Sequence, residues 1–424
     1  MTRTTRDAVE AVWKQESARL IGGLVRMVRD VDLAQDMAQE ALVVALERWP
    51  EGGIPDNPGA WLMTTAKHRA VDRARRQQML ARKHTQIEQD AAVLRPAAPD
   101  LDVEPDDVGD DLLRLVLIAC HPILSPDARV ALTLRLLGGL TTAEIARAFL
   151  VTEPTVAQRI VRAKRTLAEA RVPFEVPRGE ALTARVPAVL EVVYLIFNEG
   201  YAAARGDAWM REDLCHDALR LGRILVGLLG EHAEVHGLLA LMALHASRTP
   251  ARVTASGEPI LLLDQDRTRW DVALIREGLA AQAQAESLAR PLGPYALQAA
   301  IAACHARART PAETEWDRIV ALYDALVEVT RSPIVALNRA VAVSMAFGPR
   351  AALGLVDELV EEPALRRYHL LPTVRGDLLM KLERFEEARQ ELLRAASLAT
   401  NARERKLLED RAAACAVADS SSKA

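Results

Sequence analysis

Apolar residues recur at intervals of three and four along most of the chain, in runs of about 10–20 residues bounded by glycine or proline turns, which is the spacing of amphipathic helices. Period-two alternation, the mark of a half-buried strand, is absent apart from a short turn-like stretch, TASGEPILLL (254–263). The pattern predicts an all-α protein. It lapses twice. QDAAVLRPAAPDLDVEPDDVGDD (89–111) is rich in Pro, Asp and Ala without helical periodicity and reads as a linker. RVPFEVPRGEALTARVP (171–187) carries three prolines, which interrupt a helix. These breaks divide the chain into residues 1–85, an acidic linker 86–110, residues 111–172 and a long helical remainder, 173–424.

The sharpest local pattern is LTTAEIARAFLVTEPTVAQRIVRAKRTL (140–167). Thr141 or Thr142 caps a short helix that turns Ile145 and Phe149 inward. The chain then turns through Leu150 and Val151, and Thr152 caps a second helix, 153–169. Pro154 is no obstacle in a first turn, where the backbone N–H has no intrahelical partner to lose. Val156, Ile160, Ala163 and Leu167 form one stripe, while Thr155, Gln158, Arg159, Arg162 and Arg165 fall on the opposite side. Ala146, Leu150 and Val156 stand where a helix-turn-helix needs a small crossing residue, a turn residue and a buried branched residue. Leu150 departs from the glycine expected at a left-handed turn. A plain helical hairpin with a solvated basic face is the rival reading of this stretch.

Charge sharpens the division. The 424 residues carry a net charge of −4. Residues 1–85 hold 14 Lys+Arg against 11 Asp+Glu, residues 86–111 one against nine, and residues 112–172 nine against four. Two basic modules thus flank an acidic connector. The remainder, with 30 against 34, is mildly acidic. Phosphate neutralisation supplies most non-specific DNA affinity, so a free-standing DNA binder is usually basic overall. This chain needs a carrier. Four cysteines lie far apart, no run approaches the roughly 20 apolar residues of a membrane helix, and the N-terminus has no apolar signal region. A reducing cytoplasm is expected.

The N-terminal module changes the weight of the helix-turn-helix. DMAQEALVVALERWP (36–50) ends in Pro50, the loop EGGIPDNP (51–58) follows, and GAWLMTTAKHRAVDRARRQ (59–77) gathers Lys67, Arg69, Arg73, Arg75 and Arg76 toward its C-terminal half. This order of segments resembles the extracytoplasmic-function (ECF) group of the bacterial sigma-70 family. Asp36, Gln39 and Glu40 match its Asp–x–x–Gln–Glu helix. Trp61-Leu62, Ala66-Lys67-His68, Asp72 and Arg75-Arg76 match its second pattern, with His68 where asparagine is usual. Two matches in the right order, joined by a linker, are far more specific than either alone.

The resemblance implies a first sigma domain over 1–85 and a second, with the helix-turn-helix, over 111–172. It implies that Asp36, Gln39 and Glu40 dock on the β′ coiled coil of core RNA polymerase, with β as a further partner. Asn57, Trp61, Lys67, Arg69, Arg73, Arg75 and Arg76 would engage the melted −10 element, although Trp61 shares a stripe with Leu62 and Ala66, which favours the core. Thr155, Gln158 and Arg159 would read −35 base edges, with Arg162 and Arg165 on phosphate. The acidic linker would follow the RNA exit path or serve as a solvated tether. No cofactor is implied.

The remainder resembles the subgroup with a C-terminal tetratricopeptide-like extension. Gly376, Leu379, Ala388, Leu392 and Ala395 have that repeat spacing, as do Ala340, Val343, Ala352 and Val356 about 36 residues earlier. VVYLIFNEGYAAARGD (192–207), LLDQDRTRWD (262–271) and GPYALQAAIAACHARA (293–308) resemble that extension too. Arg267, Arg269, Trp270, Asp264, Asp266 and Asp271 crowd one inter-helix segment, read as capping and internal ion pairing or else as a surface toward the sigma domains. A regulatory, protein-binding role in cis is expected of it. An enzyme is not: no Gly-rich phosphate loop, GxSxG elbow or HExxH occurs. The pairs Cys120-His121, Cys215-His216 and Cys304-His305 lack zinc spacing and read as core cysteines beside partly exposed histidines, with no metal. The remaining alternative is a helix-turn-helix regulator with a C-terminal sensor domain, which leaves residues 30–76 without a role.

Overall fold

The computed structural model describes residues 3–69, 108–149, 151–201, 211–254, 260–399 and 402–422. The protein is all-α, with no strand among the described residues. The Leu150 turn position, the basic residues Arg73, Arg75 and Arg76, and the linker up to residue 107 lie outside them. Contacts divide the chain into two compact units, Met1–Ile196 and Phe197–Ala424.

In the first unit α1 (Arg3–Val28) packs along α2 (Val31–Gly52). Asp30 caps α2, its carboxylate accepting from the Leu33 N–H at 2.9 Å. Ala34, Ala38, Ala41 and Ala45 are wholly buried, and small side chains at helical spacing let another helix approach closely. The helix runs past Pro50, where a stop was expected, to Gly52. A proline in the last turn forfeits a single hydrogen bond, and Gly53, at φ 79°, ends the helix instead. The helical residues 58–69 form α3, with Leu62 and Ala66 wholly buried.

Helix α4 (Val108–Ala119) begins inside the stretch read as linker and packs on α1. Asp111 is the reason. It is buried against Arg26 at 3.2 Å and Arg114 at 2.6 Å, and a Cβ on Gly22 would stand 2.9 Å from its carbonyl oxygen. Two guanidiniums let a carboxylate leave water, which a count of acidic residues does not register. Next come α5 (Pro126–Leu136), capped by Ser125, then α6 (Thr142–Ala148) and α7 (Glu153–Glu169). Between α5 and α6, Gly139 takes φ 71° and comes so close to α1 that a Cβ would meet Ser17 Oγ at 2.9 Å. The short α8 (Glu180–Thr183) interrupts the proline-rich break, and α9 (Val186–Tyr201) carries the chain into the second unit.

The second unit comprises α10 (Glu212–Leu229), α11 (Ala233–Ala246), α12 (Val272–Leu288), α13 (Pro294–Arg307), α14 (Trp316–Thr330), α15 (Pro333–Phe347), α16 (Pro349–Leu359), α17 (Leu370–Lys381), α18 (Phe385–Leu398) and α19 (Ala402–Ser422). Contacts run between sequence neighbours, with next-nearest pairs such as α11 on α13 and α15 on α17. All nine repeat-spaced residues predicted to let helices cross closely, from Ala340 to Ala395, are buried. Leu392 packs over Gly376, so that a Cβ there would lie 3.0 Å from its Cγ.

Candidate nucleic-acid interface

The helix-turn-helix is held by its caps. Thr141, not Thr142, caps α6 in a reciprocal box: its hydroxyl accepts from the Glu144 N–H at 3.1 Å, and Glu144 accepts from the Thr141 N–H at 2.7 Å. Burial works against the Glu144 charge, but the bonds from Thr141 together with the charges of Lys14 and Arg147 hold the carboxyl below its ordinary range. Thr142 instead donates to Glu153 at 2.9 Å, tying the start of α6 to the start of α7. Thr152 caps α7, and Val156, Ile160, Ala163 and Leu167 form its buried stripe. Ile145 is buried as expected, whereas Phe149, placed at the end of α6, is only half-buried.

The predicted −35 residues fall into two kinds. Gln158, Arg162 and Arg165 are exposed on α7. Arg165 is bound by Glu169 one turn on, at 2.6 Å, and that hydrogen bond raises its affinity for the proton further. Thr155 and Arg159 are half-buried and already engaged. The Thr155 hydroxyl is 2.8 Å from that of Thr152, and Arg159 pairs with Asp127 of α5 at 2.9 Å. On a third face of α7 lies Lys164, which the sequence reading left unassigned. It is 11% exposed and donates to Asp32 at 2.5 Å and to Gln35 at 2.6 Å, both on α2. The helical wheel gives a hint, since Lys164 follows Ile160 by one turn on the edge of the buried stripe. Its partner, 132 positions away, leaves no local trace.

On α2, Asp36 and Glu40 are exposed and Gln39 half-buried, with the three sharing a face at i, i+3 and i+4. Asn57 caps α3, its Oδ1 accepting from the Ala60 N–H at 3.0 Å, so the acceptor expected to meet an extruded base is occupied by backbone. Trp61 is half-buried and meets the buried Trp49 edge-on, with centroids 5.3 Å apart. That contact sets the Trp61 ring at the edge of the core, beside the buried Leu62 and Ala66. Lys67 is half-buried and Arg69 exposed.

The cysteines are free and buried. Burial pushes the thiols of Cys120 and Cys215 up to about 11 and about 12, which leaves them protonated and unreactive. His121 and His216 are partly or fully exposed as expected, but His305 is buried, because it closes the end of α13 against Trp316. Among the described residues no group of three His, Cys, Asp or Glu could hold a metal ion. None of their helices is long and apolar enough to cross a membrane.

Comparison with known proteins bears on the same surfaces. Residues 12–79 match Sigma-70 region 2 and residues 114–167 match Sigma-70, region 4. Residues 185–286 match a family of unknown function, DUF6596. The chain is 42% identical over 393 residues to an uncharacterized protein of Rhizobium meliloti (strain 1021), spanning 91% of this chain and 90% of the relative. It is 29% identical to the ECF RNA polymerase sigma factor SigK of Mycobacterium ulcerans (strain Agy99), over 39% of this chain and 87% of that protein. It is 33% identical to the probable ECF RNA polymerase sigma factor SigI of Mycobacterium tuberculosis (strain ATCC 25618 / H37Rv), over 39% of this chain and 56% of that one.

Proposed function

The chain belongs to the sigma-70 proteins that carry regions 2 and 4 followed by a DUF6596 domain, and on that premise we propose that it is an ECF-type sigma factor whose α2, α3 and α7 bind polymerase, the −10 element and the −35 element respectively. The observation that carries this reading is the face of α7. Gln158, Arg162 and Arg165 are exposed opposite a fully buried stripe, on a helix whose first turn is capped by Thr152. Gln158 offers the amide that pairs with adenine, and the arginines suit guanine or phosphate. Arg159 joins them once it exchanges Asp127 for DNA.

Region 2 supplies what the regulator alternative lacks. Acidic and amide groups at Asp36, Gln39 and Glu40 suit a basic helical partner on core polymerase, while Lys67 and Arg69 stand at the end of α3. The tetratricopeptide-like extension tunes these surfaces in cis. Promoter binding also demands a rearrangement. The two elements are named for positions about 25 base pairs apart, roughly 85 Å along B-form DNA. Their readers cannot stay joined through Lys164 and Asp32, so that contact opens on the promoter.

In-vitro transcription with core polymerase on a genomic fragment library, followed by start-site mapping, tests the reading. A shared pair of elements upstream of starts that depend on this chain supports it. Sequence-specific DNA binding without any initiation from core polymerase would favour the regulator instead.

A further inference from the structure

The second unit gathers arginines that few opposite charges among the described residues meet. The end of α9, the end of α11 with the turn after it, the 3-10 turn Arg267–Arg269 and the end of α13 converge. Tyr201 is the hub. The Arg252 guanidinium lies over its ring, 3.7 Å from the centroid, and donates to the Tyr201 carbonyl. Arg248 donates to the Tyr201 hydroxyl at 2.7 Å, and the His245 ring lies 5.2 Å away. Arg267 donates to the carbonyls of His305 at 2.9 Å and Ala308 at 2.7 Å and to the Thr314 hydroxyl at 3.2 Å.

Among the described residues, no carboxylate forms an ion pair with Arg248, Arg252 or Arg267. Glu313 acts on Arg267 only at longer range. Three helices end here, and a helix C-terminus carries about half a negative charge, which offsets only about half of three full positive ones. Overall composition does not explain the excess, because residues 173–424 hold 30 basic and 34 acidic side chains. A second observation is independent of charge. Arg248 Nε, Arg267 Nε and His305 Nδ1 are buried without a hydrogen-bond partner, and His305 is 9% exposed. Buried polar atoms left unmatched are costly, and an incoming acceptor would satisfy the two arginine Nε–H donors. The neighbourhood is positive enough to act on its histidines: burial first, then Arg248 and Arg267, lowers His305 to about 4.

We propose that Arg248, Arg252 and Arg267, gathered between Tyr201 and His305, form a binding site for a small oxyanion, the phosphate or carboxylate group of a soluble ligand. Guanidiniums are suited to it, since their planar N–H pairs match two oxygens at once. The site draws on each of the three stretches, 192–207, 262–271 and 293–308, that set this extension apart in the sequence. It makes the second unit a ligand-sensing domain, whichever surface the unit presents to a partner.

Equilibrium dialysis of the full chain against labelled inorganic phosphate, in chloride at constant ionic strength, tests it. One saturable phosphate per chain is expected, weakened about tenfold or more by Arg248→Gln and by Arg252→Gln, the loss of a charge-assisted hydrogen bond. Arg339→Gln, which removes the same charge from a surface pair with Asp324, should leave binding intact. Competition by succinate would identify carboxylate as the preferred group, and its failure to compete, phosphate. Absence of saturable binding of either anion overturns the proposal, as does binding that both Gln variants retain. Should those variants unfold, phenylglyoxal modification of the wild-type chain decides. Phosphate protection of Arg248 and Arg252 supports the site, and equal modification with and without phosphate overturns it.

Discussion

Lys164 of α7 and Asp32 of α2 form an ion pair at 2.5 Å between the proposed −35 reader and the helix proposed to dock on polymerase. Gln35 adds a second bond at 2.6 Å, and the lysine is largely buried while the aspartate is exposed. A pair with one exposed partner contributes about 1 kcal/mol or less, enough to bias an equilibrium and too little to lock it. Single-molecule energy transfer between labels on α3 and α7 should show a compact population in the free chain. Asp32→Asn and Lys164→Gln should each deplete it, and the double variant should add little to either. Additive depletion would mean that the two residues act separately.

Arg159 exchanges one partner for another in the proposed mechanism. Arg159→Ala should weaken −35 binding by about 1–3 kcal/mol if it reads a base bidentately, with a loss that depends on the base substituted. Asp127→Asn releases Arg159 from its 2.9 Å pair and should tighten the same complex. Uniform losses across all −35 variants would make Arg159 a phosphate contact.

Replacing Gln39 and Glu40 by Ala should reduce co-purification with β′ while leaving the melting temperature unchanged. Glu40 is exposed and Gln39 half-buried, and surface substitutions outside the core rarely move stability by more than about 0.5 kcal/mol. Full retention of β′ at an unchanged melting temperature would remove these residues from the interface.

His305 gives the second unit an acid limit. Its folded-state value near 4 lies below the unfolded 6.5, so the unfolded chain binds the extra proton. Stability from this group is therefore intact above about pH 6.5 and is lost progressively as pH falls toward 4, by roughly 3 kcal/mol in all. The stability difference between wild type and His305→Asn should shrink by that order across the window. A pH-independent difference would show that the imidazole does not titrate there.

The extension is covalently present at an effective concentration of order millimolar, so even a contact with a dissociation constant near 10 μM would be largely closed. Truncated chains ending at Pro173 and at Ile196 should differ from the full chain in promoter-specific transcription. The second end point keeps Glu191, which pairs with Arg129 of α5 at 2.9 Å within the first unit. Activity equal to the full chain in both truncations would leave the extension as a docking platform for other proteins.

Periodicity and caps settled a good deal from the sequence alone. The all-α class, α7 over 153–169, its buried stripe and the burial of the nine spaced residues from Ala340 to Ala395 all follow from which residues lie three and four apart, a property local to one helix. Partners distant in sequence could not be read this way. Asp111 looked like linker until Arg26 and Arg114 accounted for its burial, and Lys164 looked like one more basic residue until α2 met it. His305 looked exposed until Trp316 closed over it. In each case the side chain's charge or polarity was legible, but whether water or another side chain would answer it depended on which helix the fold brought alongside.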